Sequence, residues 1–598
     1  MERDRIFRVS KQWEEIGMKR LLAYLKPHRW MMMLSAMLVV ALIGVELYKP
    51  LIIGNAIDNY IGSSGQAGSA LAMGEAFQGI LHAGALYALM LLLGFVFNAS
   101  NTWILQNVGQ SIIYKMREEV FAHIHSLSVN FFNTQPVGKL VTRVSNDTEA
   151  VNELFSQILA KLFKNTVKIV GFAVVMLSID LRMALYSFIL IPFVTGLTIL
   201  FRYMSRKAYR ITRTCITELN TFLSEHISGM KLIQIFAREQ EKFEEFSSKS
   251  EQLFRANWRE VLTFAIFRPS IYMLSVFAMV IVIGQGSASV LAGTVSLGTL
   301  FVFINYISSF FEPIQELAEQ FGTLQSSLAS AEKIFSILDE KPEIVNPKHP
   351  RTVAMNGRIE FRHVWFAYEK EDYILKDVSF CIEPGEKIAF VGATGAGKSS
   401  ILNLIGRYYD IQRGEILIDG VNIKEIDKDA LRHAIGQVQQ DVFLFTGDVK
   451  GNISLGNVDI SQEEIERAAH IVNADSFINK MPNGFDEPVT ERGSTLSAGQ
   501  RQLLSFARTL AYQPTILVLD EATANIDTET ESLITQALEK LMEGRTTIMV
   551  AHRLSTIQHA DKIIVMHKGE IRESGTHQEL LQLGGMYRKL YDLQLVEG

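Results

Sequence analysis

Two short runs carry the most specific chemistry in this sequence. Gly392-Ala393-Thr394-Gly395-Ala396-Gly397-Lys398-Ser399-Ser400 follows the apolar run Lys387–Val391 and opens a helical stretch over Ser400–Tyr408. Glycines let the backbone wrap closely round phosphate oxygens, and amides at a helix N-terminus point at an anion. Lys398 supplies a point charge to β- and γ-phosphates, and the Ser399 hydroxyl suits Mg²⁺. The second run, Ile516-Leu-Val-Leu-Asp520-Glu521, is an apolar strand ending in two carboxylates. Neighbours at a strand end point to opposite sides, so the pair can divide its labour. Asp520 would hold Mg²⁺ through water, and Glu521 would polarise the attacking water as general base at the γ-phosphate.

Such residues need a sheet with helices beside it. Short β-type runs at Arg358–Val364, Lys387–Val391 and Ile516–Leu519 alternate with helical patterns, as in an α/β domain with a partly parallel sheet. A charged, proline-punctuated stretch, Asp339–Pro350, precedes them and reads as a linker. The whole chain has 598 residues, 48% hydrophobic and only 20% charged, with a mean hydropathy of +0.15. That balance excludes a disordered, collagen-like or disulfide-built protein. The net charge of −6 argues against nucleic acid as a partner. Cys215 and Cys381 form no paired motif, which fits a reduced compartment. The Met1-Glu2-Arg3-Asp4 start shows no cleaved signal peptide.

The apolar excess lies before about residue 325. Pro269–Phe311 contains no Asp, Glu, Lys, Arg or His, about twice the ~20 residues that cross a bilayer. The glycines and serines of Gly284–Gly298 divide it into two spans. Ala83–Tyr114, Met183–Phe201 and Trp30–Val45 are further charge-free runs. The weakest, Ile169–Ile179, is extended backwards by an amphipathic segment with Lys161 and Lys164. Six membrane helices follow. With the N-terminus inside, 27 lysines and arginines lie in the inner segments 1–29, 115–168 and 202–268, against Arg182 alone outside. The inner segments are patterned as helices, with Leu219, Phe222, Leu223, Ile227, Met230, Ile233 and Phe236 at three- and four-residue spacing. The membrane helices therefore continue into the cytosol, where a turn could press on another domain. Gly17–His28 reads as an amphipathic helix along the inner membrane surface.

Leu496-Ser497-Ala498-Gly499-Gln500 narrows the class. It resembles the signature of the ATP-binding cassette (ABC) family, Leu-Ser-Gly-Gly-Gln, with Ala498 in place of a glycine. The resemblance implies an α-helical membrane domain (six transmembrane helices extended into the cytosol) followed by an α/β P-loop ATP-binding cassette domain. Their bounds are 1–325 and 350–598, with a linker at 326–349. It implies that Tyr368 stacks on adenine and that the ATP phosphates are held by Gly392, Thr394, Gly395, Ala396, Gly397, Lys398, Ser399 and Ser400. Mg²⁺ would be met by Ser399, Gln440 and, through water, Asp520. Catalysis would fall to Glu521, Gln440 and the γ-phosphate-sensing His552. Ala524-Asn525-Ile526-Asp527 fills the place of the D-loop and keeps Asp527. Thr490-Glu491-Arg492-Gly493 resembles the exporter loop that touches intracellular helices. Phe131-Phe132-Asn133 through Asp147, and Ser228 through Glu239, resemble the two intracellular loops of exporter half-transporters.

In that family each ATP lies between the phosphate loop of one cassette and the signature of another, so the resemblance implies a second half-transporter. Ala498 and Asn525-Ile526 resemble the glutamate-bearing subunit of heterodimeric exporters, which favours a heterodimer over a homodimer. The expected activity is ATP-driven export of hydrophobic or amphipathic compounds across the cytoplasmic membrane by alternating access. A lipid flippase, or an ATP-gated channel or receptor, is the alternative. Candidate cavity residues are Phe95, Phe97, Phe303, Tyr306, Phe310 and Phe311, with Glu46 and Glu312 as intramembrane charges for cationic substrates.

Overall fold

The computed structural model describes residues 18–61, 73–369, 371–520, 528–550, 557 and 560–597. They form two compact units. One comprises the chain through His125 together with Pro136–Glu340, and the other joins Ser126–Gln135 to the chain from Lys341 onward.

Among the described residues of the first unit, six helices are long and apolar enough to cross a membrane: α1 (Met18–Ile61), α2 (Gly74–Ser126), α3 (Val137–Ile179), α4 (Leu181–Ser228), α5 (Glu239–Leu291) and α6 (Leu297–Leu338). The shortest has 42 residues and the longest 53. A bilayer takes ~20, so every helix runs well beyond it. The weakest span by composition is helical without a break from Leu159 to Ile179, through Lys161, Lys164 and Lys168. Lys168 is tolerated there because it pairs with Glu46 at 3.2 Å and Glu312 at 3.4 Å. Helix α6 continues past residue 325, where the composition shifts, and ends at Leu338. Its last turns bury Ala331, Ile334, Phe335 and Ile337, an apolar stripe that keeps the chain helical up to the Asp339 cap.

The core of this unit gathers aromatic side chains from α3, α5 and α6, among them Phe172, Phe267, Phe303, Tyr306 and Phe310. The Tyr306 ring meets Phe172 edge-on at 5.1 Å, and its hydroxyl donates to the Leu47 carbonyl at 2.6 Å. About three turns further along α1, Asp58 accepts from the Gly298 amide at 2.7 Å and from the Ser296 hydroxyl at 2.6 Å. A carboxylate there satisfies the open amides that begin α6. The two backbones pass so closely that a Cβ on Gly298 would overlap the Gly54 carbonyl oxygen and the Asp58 carboxylate.

In the second unit, a six-stranded sheet has the order β12-β11-β3-β10-β9-β6, and a four-stranded sheet the order β2-β1-β4-β5. The strands are β1 (Ile359–Phe366), β2 (Leu375–Ile382), β3 (Lys387–Val391), β4 (Arg413–Ile418), β5 (Val421–Asn422), β6 (Ile435–Val438), β7 (Gly447–Asp448), β8 (Pro488–Val489), β9 (Ile516–Asp520), β10 (Thr546–Val550), β11 (Lys562–His567) and β12 (Glu570–Gly575). The pairs β3/β10, β10/β9, β9/β6 and β3/β11 are parallel. Ile516, Leu517, Val518 and Leu519 of β9 are all buried, as a strand covered on both faces requires. Alternate residues of β9 serve two cores, Leu517 and Leu519 in one, Ile516 and Val518 in the other. Helix α7 (Lys398–Ile405) follows β3, and α8 (Ala498–Ala511) precedes β9.

Ser126–Gln135 belongs to this unit through side-chain bonds. The Asn133 amide donates to the Tyr409 hydroxyl at 2.8 Å, and Ser128 and Asn130 donate to Glu343 at 3.1 and 3.3 Å. Burial pushes the Tyr409 hydroxyl above its ordinary pKa, so it stays protonated near neutrality.

Gly298→Val should force α1 and α6 apart. The expected cost is about 1–3 kcal/mol of stability, read as a lower midpoint in thermal unfolding of the detergent-solubilised protein, while Gly284→Val, in open space on α5, moves it less.

Candidate functional site: a phosphate-binding cavity

The carboxyl end of the parallel strands is where open α/β sheets bind ligands. There β3 passes into the phosphate loop, and β9 and β10 end beside it. The loop and strand ends bound a cavity of about 840 Å³, lined by Thr394–Ser400, Gln440, Asp520 and Val550, with Tyr373, Ile374, Lys376 and Lys568 on its rim. Distant stretches of sequence thus meet around one space, and the expected phosphate and Mg²⁺ ligands share it.

The loop keeps its shape through backbone geometry. Gly397 caps α7 with φ +100°, and a Cβ there would lie 2.6 Å from Leu375 Cδ2. A side chain is excluded on both counts. Lys398 is 6% exposed, and its ammonium donates to the Gly392 carbonyl at 2.6 Å and the Ala393 carbonyl at 3.1 Å. The cation is therefore held over the loop, where phosphate oxygens would sit. The Ser399 hydroxyl, Gln440 carboxamide and Asp520 carboxylate offer oxygen atoms to the same cavity, a donor set that fits Mg²⁺.

Tyr368 is set one layer back. Its hydroxyl donates to Ser400 Oγ at 3.1 Å and accepts from Asn403 at 3.3 Å, while its ring packs edge-on to Phe366 and Tyr409. Tyr373, Lys376 and Lys568 were not singled out from the sequence. Each sits on an ordinary strand or turn, and only the fold carries them to the rim. Glu521, Asp527 and His552, with Asn525 and Ile526, lie outside the described residues.

Leu496–Gln500 begins α8 elsewhere on the unit. The Ser497 hydroxyl accepts from the Gln500 amide at 3.2 Å and the Gln500 side chain accepts from the Ser497 amide at 2.9 Å, a reciprocal cap. Gly499 is buried, Ser497 and Ala498 are exposed, and none of the five lines the phosphate cavity. The same helix supports the loop beyond Gln440. Arg508 donates to the Asn452 carbonyl at 2.8 Å and the Phe443 carbonyl at 3.1 Å, and Asn452 bonds both the amide and carbonyl of Phe445 at 2.8 Å. Burial lowers the Arg508 pKa from its ordinary value. Glu491 and Arg492 are exposed in a short turn, with Arg492 at φ 56°.

The membrane candidates separate. Tyr306, Phe303, Phe311 and Phe310 are buried in helix packing, whereas Phe95 is 72% exposed. The rings of Tyr306 and Phe310 pack among side chains of α3, α4, α5 and α6. Glu312 remains accessible and is tied, with Glu46, to Lys168.

Comparison with known proteins gives the same division. Residues 32–314 match the ABC transporter transmembrane region, and residues 375–524 match the ABC transporter family. The chain is 38% identical over 586 residues to the protein named "Putative ABC transporter ATP-binding protein exp8" of Streptococcus pneumoniae serotype 4, covering 98% of each. It is 40% identical over 514 residues to YheH of Bacillus subtilis, named as a probable multidrug resistance ABC transporter ATP-binding/permease protein, over 85% of this chain and 76% of YheH. It is 38% identical to an ATP-dependent lipid A-core flippase of Desulfotalea psychrophila, over 82% of this chain and 86% of the flippase. A bacterial Atm1-family ABC exporter solved with ATP bound superposes with a TM-score of 0.79 at 26% identity, over 95% of this chain and 98% of the exporter.

The chain belongs to the ABC transporter family. It is an exporter half-transporter: a multi-pass membrane protein with a cytosolic ATP-binding domain, in which ATP hydrolysis is coupled to transport and the fold implies a dimer.

Gly397→Ala should distort the phosphate loop. Backbone strain of about 1–3 kcal/mol, added to the Leu375 overlap, predicts at least about ten-fold weaker binding of a fluorescent ATP analogue by titration, with the fold retained in circular dichroism.

Proposed function

We propose that this chain is the hydrolysis-competent half of a heterodimeric exporter of hydrophobic or amphipathic compounds. The carrying observation is that Ser497 and Ala498, at the capped start of α8, are exposed, and that none of Leu496–Gln500 lines the chain's own phosphate cavity. Ser497 and the Gly499 amide are thereby left to donate to a nucleotide held by a second cassette. The turn of the second intracellular loop supports the same reading. Ile227, Leu232, Ile235 and Phe236 are each more than 60% exposed, an apolar edge suited to a partner's cassette. In the division of the chain, residues 1–325 belong to the membrane domain together with the rest of α6 through Leu338, and 350–598 form the nucleotide-binding domain.

In the proposed cycle, Lys398 and the loop amides hold the β- and γ-phosphates, and Tyr368 supports the base. Ser399, Gln440 and, through water, Asp520 would hold Mg²⁺, which would offset phosphate charge. Glu521 polarises the attacking water, His552 senses the γ-phosphate, and Asp527 is the aspartate of the D-loop. Two shared nucleotides draw the cassettes together, the intracellular helices transmit the closure, and hydrolysis releases it. Ala498 and Asn525-Ile526 depart from the usual motifs, which favours an unlike partner with a degenerate site.

Multidrug export follows the name of the 40% identical relative. A flippase reading is supported by the 38% identity to the lipid A-core flippase. Movement of a fluorescent phospholipid, against dye efflux from the same vesicles, separates the two.

Glu521→Gln should leave ATP binding intact and lower turnover by about 10²–10⁴-fold, measured as phosphate release from the assembled transporter. Chromatography of the chain expressed alone should give no stable ATP-hydrolysing dimer; such a dimer would sink the heterodimer reading.

A further inference from the structure

The membrane unit gathers one ion set from three spans. Lys168 of α3 lies 3.2 Å from Glu46 of α1 and 3.4 Å from Glu312 of α6. One turn earlier in α3, Asn165 donates to Glu316 at 2.8 Å, so α3 and α6 are joined at two successive turns. One turn later, Phe172 stands against Tyr306, whose hydroxyl holds the Leu47 carbonyl beside Glu46. The ammonium is therefore held in place from both sides along α3.

Two carboxylates share one ammonium, so the set carries one excess negative charge. Side-chain exposure decides where that charge resides: 11% for Lys168, 24% for Glu46 and 64% for Glu312. The more enclosed Glu46 is the less screened partner of Lys168, and the excess falls on Glu312. A carboxylate facing lipid is costly, so the side of Glu312 left open by this chain would face a watery path rather than acyl chains. Pro50 lies four residues after Glu46, and Pro313 directly follows Glu312. Both carboxylates thus stand where a proline interrupts the helix ladder and leaves backbone carbonyls unpaired within it.

We propose that Lys168 sets the charge selectivity of transport, cancelling one of the two carboxylates and leaving a single negative charge for a monovalent amphipathic cation. The cation competes with the lysine for Glu312 while Glu46 retains the ammonium, so no buried charge is left alone. Lys168 is a positioning residue that acts through Glu312, and the proposal rests on the export reading above.

The test uses the assembled transporter in inside-out vesicles, with ethidium as permanent cation and calcein acetoxymethyl ester as neutral amphiphile. The readout is the ratio of their ATP-driven rates. Lys168→Met should raise the ethidium-to-ester ratio about five-fold, Glu312→Gln should lower it by a similar factor, and Lys168→Arg should stay near the parent value. A merely structural role would lower both rates together and leave the ratio alone. An unchanged ratio in Lys168→Met and Glu312→Gln would overturn the proposal. If Lys168→Met does not assemble, Glu312→Gln against Lys168→Arg gives the same decision. Parent transporter that moves neither dye would overturn the export reading, and this proposal with it.

Discussion

A nucleotide's phosphates need donors on more than one side, and the phosphate loop supplies them on one. Gly397 lets the backbone turn under the anion, Lys398 is pinned over it by two loop carbonyls, and Ser399, Gln440 and Asp520 face the same space. The remaining side is open in a single chain. In the proposed cycle, that missing side comes from the start of α8 in another copy of the fold. The start of α8 is capped by its own Ser497 and Gln500 yet left exposed, with an amide end ready for an anion. In that cycle an incomplete half-site would make closure depend on nucleotide, because the two halves would gain shared bonds only with the phosphates present.

Closure is useful only if it reaches the membrane. Ser126–Gln135 is carried by a membrane helix, yet it packs within the second unit through Asn133, Ser128 and Asn130. These are few bonds, and their acceptors, Tyr409 and Glu343, lie on segments flanking the nucleotide-binding sheets. On the nucleotide side, Arg508 links the start of the loop beyond Gln440 to the helix that carries the signature. Movement of α8 is thereby tied to movement of that loop by a half-buried guanidinium.

The membrane unit solves a different problem, that of keeping charge in an apolar setting. Asp58 is spent on capping α6, and Glu46 and Glu312 share Lys168. Each of these groups finds its partner on another helix. The close contact of Gly54 and Gly298 and the bond from Tyr306 to Leu47 hold the same helices in register.

The order of spans, the α/β second half and the phosphate loop were legible from residue types alone. They rest on local physics: apolar length against bilayer thickness, strand and helix periodicity, and glycines where phosphate requires close backbone. The aromatic candidates were not separable in that way, since a phenylalanine facing a cavity and one packed between helices share the same composition. Tertiary structure buried Tyr306 and Phe310, set Tyr368 behind Ser400, and brought Tyr373 and Lys568 to the cavity rim. It alone joined Glu46, Lys168 and Glu312, because a pairing between residues more than a hundred positions apart has no local trace. Sequence determined which groups this protein possesses; only the packing of one helix against another decided which of them meet.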